Sequence, residues 1–334
     1  MIRTYRYPLH PTKAQAAVLE SWLTYCCRLY NAALEHRIGA WRRERINVTR
    51  IDQQKELTEL RAIDAEASGI PSLVQRSALF RLDRAFQAFF RRVKAGGRPG
   101  FPRFRSRRRY DSIGIGRAHH KGNCVLVPKL GPIKFHRYRE LQGTIRDVAI
   151  RRSAGRWYVC FSCDLGEAPP KVPVGRAVGV DLGLTHFAVL SDGTEIENPR
   201  YFRRAEAILA RRQRSLALKK RGSESRERAR FLVAKAHEHV RHQRLDFSRK
   251  LAADLFRRYD LVAYEDLAIR NMIRSPLAKS ISDAAWGTFL RCLTCKAEGA
   301  GKWAVAVDPR GTSQRCSGCG IVVRKNLKER QHRC

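Results

Sequence analysis

Long apolar runs are missing from this 334-residue chain. No stretch approaches the roughly 20 residues that a membrane-spanning helix needs. The opening residues, MIRTYRYPLHPTK, contain no signal-like apolar block. Cysteine is sparse at ten residues, which excludes a disulfide scaffold and fits a reducing compartment. No internal repeat and no low-complexity tract occurs. Together these absences predict a cytoplasmic protein with no membrane partner. Acidic residues are also scarce: 31 Asp+Glu stand against 67 Lys+Arg, a formal net charge of +36. Self-repulsion on that scale destabilises a free compact chain, so a polyanionic partner is expected. What remains is core-forming. Hydrophobic residues make up 43% and aromatics 9%, which excludes a disordered basic tail. The length suggests two or three domains.

Alternation around Ile2, Tyr5 and Tyr7 predicts a short strand. Thr12 and Gln15 then form a capping box ahead of apolar positions at helical spacing, Ala16, Leu19, Trp22, Leu23, Cys26, Leu29, Tyr30 and Ala33. A second helical stretch spans roughly 50–68 and is broken at Gly69-Ile70-Pro71-Ser72. A third carries Leu79, Leu82, Phe86, Phe89 and Phe90 on one face, read as core. Residues 11–95 thus read as one helical unit. Six arginines follow within the twelve residues 98–109: Arg98, Arg103, Arg105, Arg107, Arg108 and Arg109. Phe101 and Phe104 lie between them and no acid interrupts the run. Guanidinium groups with interleaved rings suit phosphate pairing and base stacking. Short apolar segments separated by turn residues over 111–165 predict a small antiparallel barrel. Glu167–Pro173 reads as a linker.

Beyond it, VGVDLG at 178–183 is a strand pattern interrupted by Asp181, and LVAYE at 261–265 ends on Glu265. A carboxylate in a buried strand is costly unless something positive holds it. Acids from two neighbouring strand ends suit a pair of divalent ions about 3.5–4 Å apart that drive phosphodiester cleavage. The alternative is neutralisation by arginine. Residues 200–250 hold 17 Lys/Arg against 5 Asp/Glu in a helix-compatible pattern. Arg211, Arg212, Lys219, Lys220 and Arg221 are the backbone-contact candidates there. A further helix is expected from about Ser282 to Glu298, then a strand at Trp303–Val307.

In order, VGVDLGLTHFAVLSDG, the basic helical stretch, LVAYEDLAIRNM, SISDAAWGTFL and TSQRCSGCG resemble the OrfB/TnpB family of insertion-sequence proteins, related to the small type V CRISPR effectors. So do the PSLVQRSALFRLDRAFQAFF helix and the GGRPGFPRFRSR loop. The resemblance implies an α+β multidomain fold: a wedge-like β-barrel over 1–10 and 96–170 with an inserted helical bundle at 11–95. An RNase H-like (RuvC) α/β domain would follow at 171–311, then a partial zinc ribbon at 312–334. It also implies a prokaryotic transposon-encoded endonuclease that uses a transposon-derived guide RNA to cut double-stranded DNA with Mg²⁺ or Mn²⁺. By position, Asp181 and Glu265 match the first two acids of the RuvC triad.

Two features depart from that pattern. Cys316, Cys319 and Cys334 match three of four Zn²⁺ ligands, whereas structural zinc normally takes four. The segment carrying the family's third acid has no counterpart in this sequence. His332 and Asp308 are weak substitutes, and Cys292-x-x-Cys295 reads as two small helix residues. On this sequence alone the expectation is severely reduced or absent cleavage with nucleic-acid binding retained. An RNA-guided binder that does not cut is therefore the competing class, and a sequence-tolerant RNA-binding protein ranks third because it leaves Asp181 and Glu265 unexplained.

Overall fold

The chain divides into two units, Met1–Glu167 and Ala168–Cys334, in a computed structural model that describes residues 1–117, 120–309, 319, 321 and 322. The division falls at the start of the Pro-rich linker expected from the sequence.

The first unit opens with strand β1 (Ile2–His10), whose alternate residues Tyr5, Tyr7 and Leu9 are buried. Helix α1 (Lys13–Glu44) begins at the capping box: the Gln15 N–H donates to Thr12 Oγ1 at 3.2 Å and the Thr12 N–H to Gln15 Oε1 at 3.0 Å. Helices α2 (Arg50–Ile63), α3 (Ala65–Gly69) and α4 (Ser72–Lys94) follow. Then come β2 (Ser112–Gly116), β3 (His120–Lys121), β4 (Cys124–Val127), β5 (Gly131–Phe135), β6 (Thr144–Ser153) and β7 (Arg156–Asp164).

These strands form one antiparallel sheet in the order β2-β6-β7-β1-β5-β4-β3. β1 is central, pairing Ile2 with Asp164 on one side and Leu9 with Phe135 on the other. The four helices are therefore an insertion between a central strand and the rest of its sheet. Both layers share one core, with Leu23, Tyr30 and Leu79 from the helices and Ile113, Val148 and Phe161 from the sheet. Among the described residues no ladder joins β2 to β3, so the sheet is open there rather than a closed barrel.

One expectation about α4 needs correction. Leu79 and Leu82 are buried as expected, but Phe86 is only partly buried and Phe90 is exposed. The stripe continues at helical spacing past the point where the core ends.

The second unit contains β8 (Ala177–Leu182), β9 (His186–Leu190), β10 (Glu195–Glu197), α5 (Tyr201–Ala217), α6 (Glu224–Arg258), β11 (Leu261–Glu265), α7 (Ile269–Met272), α8 (Ala278–Ala284), α9 (Trp286–Gly299) and β12 (Trp303–Val307). Its sheet order is β10-β9-β8-β11-β12, an antiparallel meander extended by two parallel strands. Val178, Val180 and Leu182 of β8 point to one face. There they meet Leu255 and Phe256 of α6 and Phe289 and Leu293 of α9. Phe187 lies edge-on to Phe247 and Phe289, with ring centroids 4.9 and 5.3 Å away. The helix expected from Ser282 is broken at Ala285, whose φ of 57° ends α8 and starts α9. Among the described residues no helix is long and apolar enough to cross a membrane.

Candidate active site

Asp181 lies next to the C-terminal end of β8, and Glu265 is the last residue of β11. The two strands are parallel neighbours paired Leu261–Ala177 through Tyr264–Val180. One step further, the same register sets Glu265 opposite Asp181. Adjacent strands lie about 4.8 Å apart, and side chains at matching parity share a face. Both acids therefore project from the face opposite the one packed on α6 and α9.

They line one shallow depression of about 340 Å³, together with Gly179, Ser191, Ala263 and Val307. Asp181 is exposed, and Glu265 is half-buried. The sequence-based premise that Asp181 is a buried charge is thus corrected. The strand is buried on one face only, and period-2 alternation puts Gly179 and Asp181 on the other.

The surroundings fix this edge. Ser191 Oγ accepts from the Gly179 N–H at 3.0 Å, and the Ser191 N–H donates back to Gly179 O at 2.9 Å. Gly183 makes the turn two residues beyond Asp181, where its N–H donates to Phe187 O at 3.2 Å. A Cβ there would stand 2.9 Å from His186 O, a backbone atom that cannot swing away. Gly183→Ala is expected to open the turn and to cost about 1–3 kcal/mol. A denaturant midpoint unchanged from wild type would show that the turn is not tight. At the next turn the Tyr259 hydroxyl donates to Asp192 and holds its carboxyl down to about 2.

Elsewhere in the second unit lies a residue to which sequence reasoning assigned no role, although it sits in the SISDAAW motif. Asp283 is buried on α8 and accepts from the backbone N–H groups of Phe202 (2.7 Å) and Arg203 (3.1 Å). Arg244 Nη2 of α6 donates to the same carboxylate at 2.8 Å. α5 has no capping side chain of its own, so Asp283 satisfies its first N–H groups from another helix. It ties α5, α6 and α8 together.

The basic candidates divide into two kinds. Arg98, Arg103 and Arg109 are exposed. Arg107 instead pairs with Glu20 and donates to Thr24, which uses it in packing the loop onto α1. Arg105 is held by its backbone to the Asn31 side chain through two 2.8 Å hydrogen bonds, and its own side chain remains exposed. Arg108 is exposed and has a partner of its own. In the second unit Arg211 is exposed on α5, and Lys219, Lys220 and Arg221 are exposed in the α5–α6 turn. Arg212 donates from Nη1 to Leu232 O at 2.9 Å, bridging the two helices. Arg226, which sequence reasoning did not single out, donates to Leu216 O and Lys219 O at the end of α5.

Cys316 and Cys334 lie outside the described residues, and Cys319 is exposed. Cys292 and Cys295 are both on α9, as the helix reading expected. Among the described residues no group of three or more His, Cys, Asp or Glu is gathered closely enough to hold a metal.

The fold resembles that of Cas12f1 as seen in a cryo-EM structure of its complex with sgRNA and target DNA, with a TM-score of 0.58 at 13% identity over 93% of this chain and 76% of that one. The sequence narrows the class. A family profile described as a probable transposase, OrfB of IS605, matches residues 160–275. A Cas12f1-like TNB-domain profile matches 286–334, and a helix-turn-helix profile of the same OrfB group matches 1–45. That last segment is here one strand and one uninterrupted helix. A putative RNA-guided DNA endonuclease from Streptomyces pristinaespiralis is 34% identical, aligned over 96% of this chain and 81% of its own length. The putative RNA-guided DNA endonuclease InsQ of Escherichia coli K12 is 26% identical over 100% of this chain and 87% of its own. The chain belongs to the OrfB/TnpB family of IS605-type insertion sequences.

Proposed function

We propose that this protein is an RNA-guided DNA endonuclease whose metal site includes Asp181 and Glu265; its likeness over nearly the whole chain to relatives named as such endonucleases outweighs the expectation of reduced cleavage drawn from the unmatched third acid. The observation that carries the proposal is the register of β8 and β11, which sets these two acids side by side on the open face of the sheet. The strand order, a three-stranded meander extended by two parallel strands, supports an RNase H-like reading of 171–311. The sheet with its inserted helices supports the wedge-like and recognition roles of 1–10, 96–170 and 11–95. Carboxylate oxygens are the ligands that Mg²⁺ and Mn²⁺ prefer, and water and phosphate oxygens complete such a shell. Two protein acids in an exposed depression fit that chemistry. Asp181 and Glu265 would hold the ion, which would supply Lewis-acid chemistry for activating water and for neutralising charge on the leaving oxygen. The chain's own part is to hold the two carboxylates at fixed spacing on adjacent strands. Cys316, Cys319 and Cys334 are the proposed Zn²⁺ ligands of the ribbon.

The partners are a transposon-derived guide RNA and double-stranded DNA. The protein would grip backbones while pairing reads the sequence. The exposed arginines of 98–109 and the basic α5–α6 turn are the proposed backbone contacts. With a net charge of +36, affinity for RNA should depend steeply on salt. Raising salt from roughly 50 to 200 mM is expected to weaken binding by about 10³-fold or more. A flat dependence in a filter-binding titration would contradict the polyanion argument. The function itself is tested by mixing the purified ribonucleoprotein with plasmid matched to its guide and Mg²⁺. Cleavage that requires both the match and the metal supports the proposal; tight binding without any nick leaves a guided DNA-binding protein.

A further inference from the structure

The first unit holds an open cavity of about 670 Å³ between the C-terminal ends of α1 and α4, within the size range of ligand pockets. Trp41, Val48, Phe86, Phe89, Phe90 and Phe101 line it. Three of these rings are half-exposed: Phe90 at 55%, Trp41 at 52% and Phe101 at 48%. The cluster is ordered nonetheless. Phe86 stacks on Phe90 at 6.3 Å and 26°, while Phe101 meets Phe86 and Phe89 edge-on at 5.7 and 5.3 Å. The Phe101 loop is tied back to α4 by Arg92 Nη2, which donates to Gly100 O at 2.9 Å. Half-exposed rings held in order around one open cavity offer faces on which a planar ligand can stack.

Two observations identify the occupant. The segments forming the cavity, 37–48 and 86–101, carry eight Lys/Arg and a single acid, Glu44. That rim repels cationic partners and attracts phosphate. In the cavity wall, the Arg37 side chain is only 9% exposed and its guanidinium carbon lies 5.1 Å from the Phe86 ring centre. Arg37 Nε donates to Gln53 Oε1 and Nη1 faces Asp83, yet Nη2 has no hydrogen-bond partner. Arg37 is thus a fixed cationic part of the wall behind Phe86, and a planar base would stack on the exposed phenylalanine rings in front of it.

We propose that this cavity takes an unstacked nucleobase of a bound nucleic acid, with the rim arginines holding the flanking phosphates. The inference rests on nucleic acid being the protein's partner, as in the proposed function, and adds a base-stacking site within the helical insertion of the first unit.

The test uses the full chain with a short single-stranded RNA carrying 2-aminopurine, and a matched oligonucleotide abasic at the same position. The wild type is expected to quench 2-aminopurine and to bind the base-containing strand about tenfold more tightly than the abasic one. Phe90→Ala and Phe101→Ala should each remove most of that difference and of the quenching, leaving affinity for the abasic strand unchanged. Phe90→Trp should preserve both. These rings are half-exposed, so the variants should fold, and equal abasic binding checks that they have. Equal affinity of wild type and variants for the base-containing strand would overturn the cavity proposal while leaving the proposed function intact. Failure of the wild type to bind either strand would overturn both. A concentration-dependent dimer abolished by Phe90→Ala, with oligonucleotide binding unchanged, would give the cavity to a second copy and overturn the proposal.

Discussion

Asp181→Ala is expected to abolish Mg²⁺-dependent cleavage by the ribonucleoprotein, lowering the rate by about a thousandfold or more, while guide and target binding stay within about twofold. The size follows from the role: a metal that stabilises charge on the transferring phosphate contributes several kcal/mol, and each 1.36 kcal/mol is about tenfold. Binding survives because Asp181 is an exposed residue on the open sheet face and supports no core contact. Its removal even lowers the negative charge that a nucleic acid meets. Glu265→Gln should behave similarly, since Glu265 lines the same depression from the neighbouring strand. Rates are to be read from single-turnover cleavage of matched plasmid, with affinity measured separately in Ca²⁺. Equal cleavage by wild type and Asp181→Ala would remove the acid pair from the chemistry.

The second large effect is on stability. Asp283→Ala should destabilise the second unit by about 3–5 kcal/mol, because it strands a partly buried guanidinium and two helix N-terminal donors at once. The carboxylate is 3% exposed, and its three partners come from α5 and α6. Asp283→Asn keeps an acceptor oxygen and should lose less. Urea unfolding of the two variants provides the check. A loss below about 1 kcal/mol for the alanine variant would mean that water replaces the carboxylate without cost, which the observed burial argues against. Cleavage should decline in step with the folded fraction and no further, which separates this residue from Asp181.

Local chemistry was the part of the fold written in the sequence. The Thr12–Gln15 box and the strand over Trp303–Val307 both stand where spacing placed them. The partners of β1 did not. Its pairing of Ile2 with Asp164 spans most of the first unit, and no short-range pattern encodes a contact at that separation. The phenylalanine stripe of α4 misled for a related reason. Helical spacing tells which residues share a face, but not where the neighbouring layer stops, and Phe90 lies beyond that limit.

At the site, the two acids were visible as carboxylates ending apolar runs, and the register that joins them was not. The exposure of Asp181 was legible all the same: V-G-V-D-L alternates with period 2, so an acid between buried Val180 and Leu182 faces away from the core. Asp283 was hidden because its role depends on three helices meeting. The partner of Arg107 was hidden because Glu20, with which it pairs, lies 87 residues earlier.

The central claim is that Asp181 and Glu265 together hold a divalent cation. A Mn²⁺ titration followed by electron paramagnetic resonance, on the ribonucleoprotein with a non-cleavable DNA target, tests it without relying on activity. The account predicts at least one bound Mn²⁺ in the wild type that is lost in Asp181→Ala and also in Glu265→Gln, since each variant removes half of one site. Undiminished Mn²⁺ binding in both single variants would contradict it.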